Sequence, residues 1–187
     1  MRASALLVLS LLLGGCAASW PEQASLNPQV GQQPAGLYQG QSLSLQAQDK
    51  RLASQVITIK FDGEPEVRVP NQVAPAELLR QKLEQGFSQQ GVSLGGMDSP
   101  ELTLIINALE AQVTKPGLLY KTRTQLQIKL ELRHNGLYLG KSFGKNSTED
   151  SASRPDVPGL EKTLNQQLST LLEQVLVDQE IRSFIKG

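Results

Sequence analysis

Cys16 is the residue of this chain with the most chemistry to offer, and the three residues before it indicate which chemistry. Leu13-Gly14-Gly15-Cys16 places two glycines ahead of a thiol, a pattern that lets a lipoprotein signal peptidase bring the backbone against its active site and cut. The freed cysteine can then carry a diacylglycerol group as a thioether. Cys16 is the only cysteine, which rules out an intrachain disulfide, and acylation would consume a thiol that is a liability in an oxidising compartment. Met1 and Arg2 precede an apolar run over residues 6–13 broken only by Ser10, the basic start and apolar core of a secretory signal. A spanning helix needs ~20 apolar residues, so this run reads as a targeting segment.

Residues 1–15 are therefore expected to be a lipoprotein signal peptide and 16–41 a lipidated N-terminus with a flexible tether, rich in Pro, Gln, Gly and Ser. Several acyl chains on Cys16 would make attachment stable. The expected partners are then the lipid bilayer and the machinery that processes and sorts lipoproteins. Ala17, Ala18 and Ser19 follow with no Asp beside the lipid, which favours the periplasmic face of the outer membrane.

The remaining polar residues assemble no reactive pattern. His134 is the only histidine and stands beside Asn135-Gly136, so a metal site would have to come from carboxylates. Glu64, Glu66, Glu149 and Asp150 have spacings typical of wet surfaces, no Gly-x-Ser-x-Gly elbow is present, and the glycines over 91–96 lack the lysine of a phosphate loop. No catalytic residue, metal or cofactor is expected. Charge offers no engine either: 18 Lys and Arg face 18 Asp and Glu, and loss of Arg2 with the leader leaves about minus one. Without a basic stripe, nucleic acid is excluded as a partner. The candidates for contact with an envelope protein are Leu118, Leu119 and Tyr120, apolar residues in the loop over 114–121, together with Gln125 and Gln127 on a polar strand face. The loop residues could equally close the end of the core.

The elements that must position these residues follow from periodicity. Leu43, Leu45 and Ala47 alternate with polar residues, as do Ile57, Ile59 and Phe61, and the two runs read as a hairpin about Asp49-Lys50-Arg51. Over 74–90 the period becomes helical, with Leu79, Leu83 and Phe87 on one face and Gly91 as its stop. A strand over 101–113 puts Leu102, Leu104, Ile106 and Ala108 on one face and Ile105 and Leu109 on the other. A second over 120–133 carries Leu126, Ile128, Leu130 and Leu132, and Asn135-Gly136 returns the chain into a strand over 137–143. After a polar loop at 150–158, Leu160, Leu164, Leu168, Leu171, Leu172 and Val175 mark a long helix, and Ile181, Phe184 and Ile185 a terminal one. The expectation is a single α+β domain over 42–187, an antiparallel-rich sheet of about five strands packed against two main helices.

The lipobox at Cys16, the Asp49-Lys50-Arg51 turn, Leu78, Leu79 and Leu83 ahead of Gly91, Leu102-Thr103-Leu104 with Leu109, the 117–120 loop and the closing run over 178–185 resemble, in order and spacing, the YajG family of uncharacterised outer-membrane lipoproteins. That resemblance implies an outer-membrane location and an α+β fold. It supplies no catalytic residues. The expected role is a noncatalytic lipoprotein that binds an envelope partner, as an accessory to envelope assembly or transport. One alternative is a carrier or chaperone for an apolar ligand such as lipid, which requires Leu168, Leu172 or Phe87 to face a groove. The other is a cell-wall-binding module.

Overall fold

Three long strands dominate the computed structural model, which describes residues 20–187. In chain order the elements are β1 (Ser42–Asp49), β2 (Gln55–Lys60), β3 (Val67–Pro70), α1 (Pro75–Gln89), β4 (Ser93–Leu94), β5 (Glu101–Thr114), β6 (Tyr120–His134), β7 (Leu137–Ser151), α2 (Val157–Val177) and α3 (Gln179–Lys186). β5, β6 and β7 form an antiparallel meander. The Asn135-Gly136 turn joins β6 to β7 with both residues at positive φ, 50° and 78°, as a two-residue hairpin of this type needs. The other edge of β5 pairs with β1 and β2, while β3 and β4 add short strands beyond them. The result is the expected α+β architecture, with a mixed, largely antiparallel sheet whose body is β1, β2, β5, β6 and β7.

The expected β1–β2 hairpin does not form. Both strands run parallel to β5, end to end along one edge: β1 pairs with 101–106 and β2 with 111–114. Arg51 fills the gap between them. Its guanidinium donates to Gln55 O and Leu109 O, each at 2.9 Å, and pairs with Asp49 at 2.7 Å. One cation thus satisfies carbonyls that the interrupted ladder would leave bare. The same stretch of β5 is irregular on its other side, where the register with β6 shifts between Ile106 and Ala108. The extra residue resets the alternation, so Leu109, Ala111 and Val113 join Leu102, Leu104 and Ile106 on the buried face. Leu109 was expected on the opposite side, because alternation read from sequence has no marker for a bulge.

β7 is twice the expected length. Beyond Phe143 it carries no apolar alternation, yet pairing continues to Tyr120↔Ser151 because β6 offers a full edge of backbone donors and acceptors. Thr124 and Ser147 hydroxyls meet at 2.7 Å on the inner side, and Gln167 of α2 donates to Ser147 at 3.1 Å.

The helices cover the apolar face, α1 over β1 and β5 and α2 across β5, β6 and β7. α1 ends in a Schellman motif: Val92 N–H donates to Phe87 O and Gly91 N–H to Ser88 O, both at 3.0 Å, with Gly91 at φ 96°. Gly86 is where α1 meets α2. A Cβ there would overlap the Leu176 methyls, so the glycine that weakens the helix also permits the crossing. Asp156 caps α2 by accepting from Gly159 N–H at 2.9 Å.

The expected tether is the largest departure. Residues 24–38 lie on the domain as a strap between the two helices. Ala24 bridges to Asn71, exchanging backbone hydrogen bonds of 2.8 Å with Pro70 O and Gln72 N–H. Ala24, Leu26 and Pro28 face inward in alternation with exposed Ser25, Asn27 and Gln29. The exposed residues turn their backbone N–H groups to α2, where Ser25 donates to Glu161 (2.7 Å), Asn27 to Asn165 (2.8 Å) and Gln29 to Ser169 (2.8 Å). Two residues of extended chain advance ~6.6 Å and four residues of helix ~6 Å, so every second amide of the strap meets every fourth side chain of α2. On the α1 side, Lys82 Nζ donates to Asn27 Oδ1 at 2.8 Å. Tyr38 closes the strap, fully buried against Phe87 with ring centroids 6.1 Å apart. Composition suggests a tether because the Pro, Gln, Gly and Ser between its few apolar residues leave too little apolar area to fold alone; a shallow groove between helices needs only Ala24, Leu26 and Pro28 at alternate positions, with Tyr38 beyond.

Candidate functional site

The β6–β7 hairpin and the start of β5 build an open concavity of about 740 Å³ at one end of the sheet. Met97, Leu137 and Tyr138 stand around it with relative exposures of 104%, 66% and 55%, beside Asp98, Glu101 and Arg133. Arg133 leans over the Tyr138 ring, its guanidinium carbon 5.4 Å from the centroid. Behind it Glu131 accepts from Lys129 at 2.7 Å, and that hydrogen bond holds the Glu131 carboxyl below its usual value. The His134 ring meets the Asn135 side-chain amide at 3.0 Å. Among the described residues no hydrogen bond joins it to a hydroxyl or carboxylate. No cluster of three or more His, Cys, Asp or Glu with metal-binding geometry occurs among them either. What this end presents is an apolar rim with both signs of charge, a surface suited to contact.

The opposite end holds the β5–β6 connection. Tyr120 packs edge to face on Phe61 at 5.4 Å, and Lys115 Nζ lies 4.6 Å from the Tyr120 centroid. Arg154 stacks between Phe61 and Trp20, 4.8 Å from each ring, and its guanidinium reaches Glu64 at 3.2 Å. Beyond this cluster Leu118 is 94% exposed and Leu119 nearly half exposed. A concavity of about 610 Å³ beside them is lined by Lys60, Lys115, Lys121 and Arg123 with Asp62.

Five residues nominated from sequence thus fall in two places. Leu118, Leu119 and Tyr120 share the loop end, with Tyr120 turned into the aromatic cluster and the two leucines outward. Gln125 and Gln127 lie on the outer face of β6, where their neighbours on β7 are Asn146 and Gly144. Sequence reasoning missed Met97, Leu137 and Tyr138. Their signal was present, since Leu137 and Tyr138 directly follow the Asn135-Gly136 turn and occupy both faces of the strand. The groove needed by a carrier is filled: Leu168, Leu172 and Phe87 are all buried in one continuous core.

A family model described as an uncharacterized lipoprotein matches residues 28–186. The chain belongs to that family. Two solved structures share the lipoprotein's fold at low identity. One, protein XCC0632 from Xanthomonas campestris, matches with a TM-score of 0.57 and 13% identity over 83% of this chain and 96% of its own. The other, described as an uncharacterized protein, matches with a TM-score of 0.52 and 15% identity over 79% and 97% of the two chains. No curated protein matches the lipoprotein. The family match begins at residue 28, within the strap. Leu13, Gly14, Gly15 and Cys16 lie outside the described residues. No helix of the lipoprotein among the described residues is long and apolar enough to cross a membrane.

Proposed function

We propose that this chain is a noncatalytic lipoprotein, anchored through acylated Cys16 to the periplasmic face of the outer membrane, that binds an envelope protein through the open end of its sheet. The observation that carries this reading is the exposure of Met97, Leu137 and Tyr138 around one concavity, on a domain whose other large side chains are mostly buried. Aromatic and Met side chains beside an Arg are the composition that interface centres favour. Membership of a lipoprotein family supports the anchor, and Ala17, Ala18 and Ser19 after Cys16 support outer-membrane sorting. The Asp49-Lys50-Arg51 segment and the closing run over 178–185 support a place close to the YajG lipoproteins within it.

The test is photo-crosslinking in living cells from position 137, compared with position 127 on the polar sheet face. A reproducible protein adduct from 137 that disappears with Tyr138→Ser is the expected result. Equal yields from 137 and 127, or adducts insensitive to Tyr138→Ser, would remove the open end as the binding surface.

A further inference from the structure

The loop over residues 115–119 lies at the same end of the molecule as Trp20, the first described residue, and this juxtaposition has a physical consequence. Trp20 is held there by the Arg154 stack, and the strap behind it is hydrogen-bonded to α2. Only three residues separate Trp20 from Cys16, so the link is four Cα-to-Cα steps long. Fully extended it reaches ~14 Å. An acylated Cys16 therefore brings this end, and not the open end of the sheet, to the bilayer surface. The two ends are far apart: β6 runs from one to the other over 15 residues, roughly 50 Å of extended strand.

We propose that this end is the membrane-contacting face of the domain, with Leu118 and Leu119 entering the interface of the leaflet that holds Cys16 and the neighbouring cations meeting lipid phosphates. The proposal rests on the lipidation reading above. Leu118 and Leu119 cap a rigid support, since the β5–β6 ladder continues to Thr114↔Lys121, the last pair before the loop. Lys60, Lys115, Lys121 and Arg123 line the concavity beside them, against Asp62 within it and Asp150, which pairs with Lys121 at 3.4 Å. Cations beside an apolar tip match the order of phosphate and hydrocarbon in a leaflet. Trp20 and Tyr120, half-buried in the same end, are residue types that favour the headgroup layer. Two leucines make a weak membrane contact alone. A short tether raises their effective concentration at the surface to the order of millimolar, so a weak contact suffices to set orientation.

Acylation consumes the only natural thiol, so one engineered cysteine can be labelled uniquely in the lipidated full-length protein. Leu118→Cys and, at the open end, Leu137→Cys would each carry an environment-sensitive fluorophore after reconstitution into vesicles of phosphatidylethanolamine and phosphatidylglycerol. With lipids bearing a quencher in the upper acyl chain, the label at 118 should lose most of its emission and the label at 137 almost none. Equally weak quenching at both positions overturns the proposal while leaving the anchor in place. Labelling of the unsubstituted protein would show a free Cys16 thiol and overturn the lipidation reading together with the orientation built on it. A photo-crosslinker at 118 that captures protein and no lipid in cells would also overturn the membrane assignment.

Discussion

Arg51 joins β1, β2 and β5 through a single side chain. It is almost fully buried, pairs with Asp49 and donates to two carbonyls from different strands. Partial burial opposes ionisation of Asp49, but its hydrogen bonds with Arg51 outweigh this and hold the carboxyl below its usual value. Arg51→Ala would strand both carbonyls and the carboxylate, and is expected to cost about 3 kcal/mol in urea unfolding. Arg51→Lys should recover little, since an ammonium cannot span those acceptors. Asp178 makes a titratable counterpart. Partial burial disfavours its charge, yet Lys141 Nζ at 2.6 Å and the Ile181 and Glu180 amides at 3.0 Å prevail, and its carboxyl titrates below the ordinary value. A depressed carboxylate contributes fully above its unfolded pKa, near 4, and loses that contribution as pH falls through the folded value. The stability difference between wild type and Asp178→Asn should therefore be largest near neutral pH and shrink as the pH falls below the unfolded carboxylate value and through the lower folded one. A difference unchanged with pH would mean that the charge contributes nothing.

At the scale of elements, the strap and α2 are matched by their repeats. Glu161, Asn165 and Ser169 present acceptors one turn apart to the amides of Ser25, Asn27 and Gln29. Replacing all three acceptors by Ala is expected to raise hydrogen exchange at these amides by at least about tenfold, equivalent to roughly 1.4 kcal/mol of local opening. Exchange in β5 and β6 should stay unchanged. Uniform acceleration across the domain would instead mean that strap and sheet open as one unit. The i, i+4 acceptors were visible in the sequence of α2, but nothing local distinguishes them from an ordinary wet helix face. Their role requires a second chain segment alongside.

For the whole molecule, the strap decides where the domain begins. A chain starting at Ser42 would lack Ala24, Leu26 and Tyr38, all buried in the core. Removing Leu26 and Tyr38 alone forfeits about 1.5–3 kcal/mol each, a large share of the 5–15 kcal/mol typical of a domain. The truncated chain is expected to bind a hydrophobic dye and melt without a cooperative transition, as checked by calorimetry. A sharp transition within a few degrees of the full domain would show that the strap is an addition to an independent fold. The strap also ties the Trp20 end to the body, so that exposed Leu118 and Leu119 at that end and Met97, Leu137 and Tyr138 at the other stand at opposite ends of the sheet.

The sequence by itself determined what depends on local order. The long strands, the Asn135-Gly136 turn, both main helices and the Gly91 stop follow from alternation, helical period and positive-φ residues, because each element's solvent and core faces are written into its own residues. Tertiary structure alone decided what depends on a neighbour. The Asp49-Lys50-Arg51 segment looks like a turn from either side, and only the edge of β5 makes it a break between two parallel strands sealed by Arg51. Leu109 changes face because of a bulge that β6 pairing imposes. Residues 144–151 extend β7 because β6 holds them, and 24–38 become a strap because two helices leave a groove of the right pitch. In each case the deciding hydrogen bonds join residues distant in sequence, beyond the reach of any local pattern.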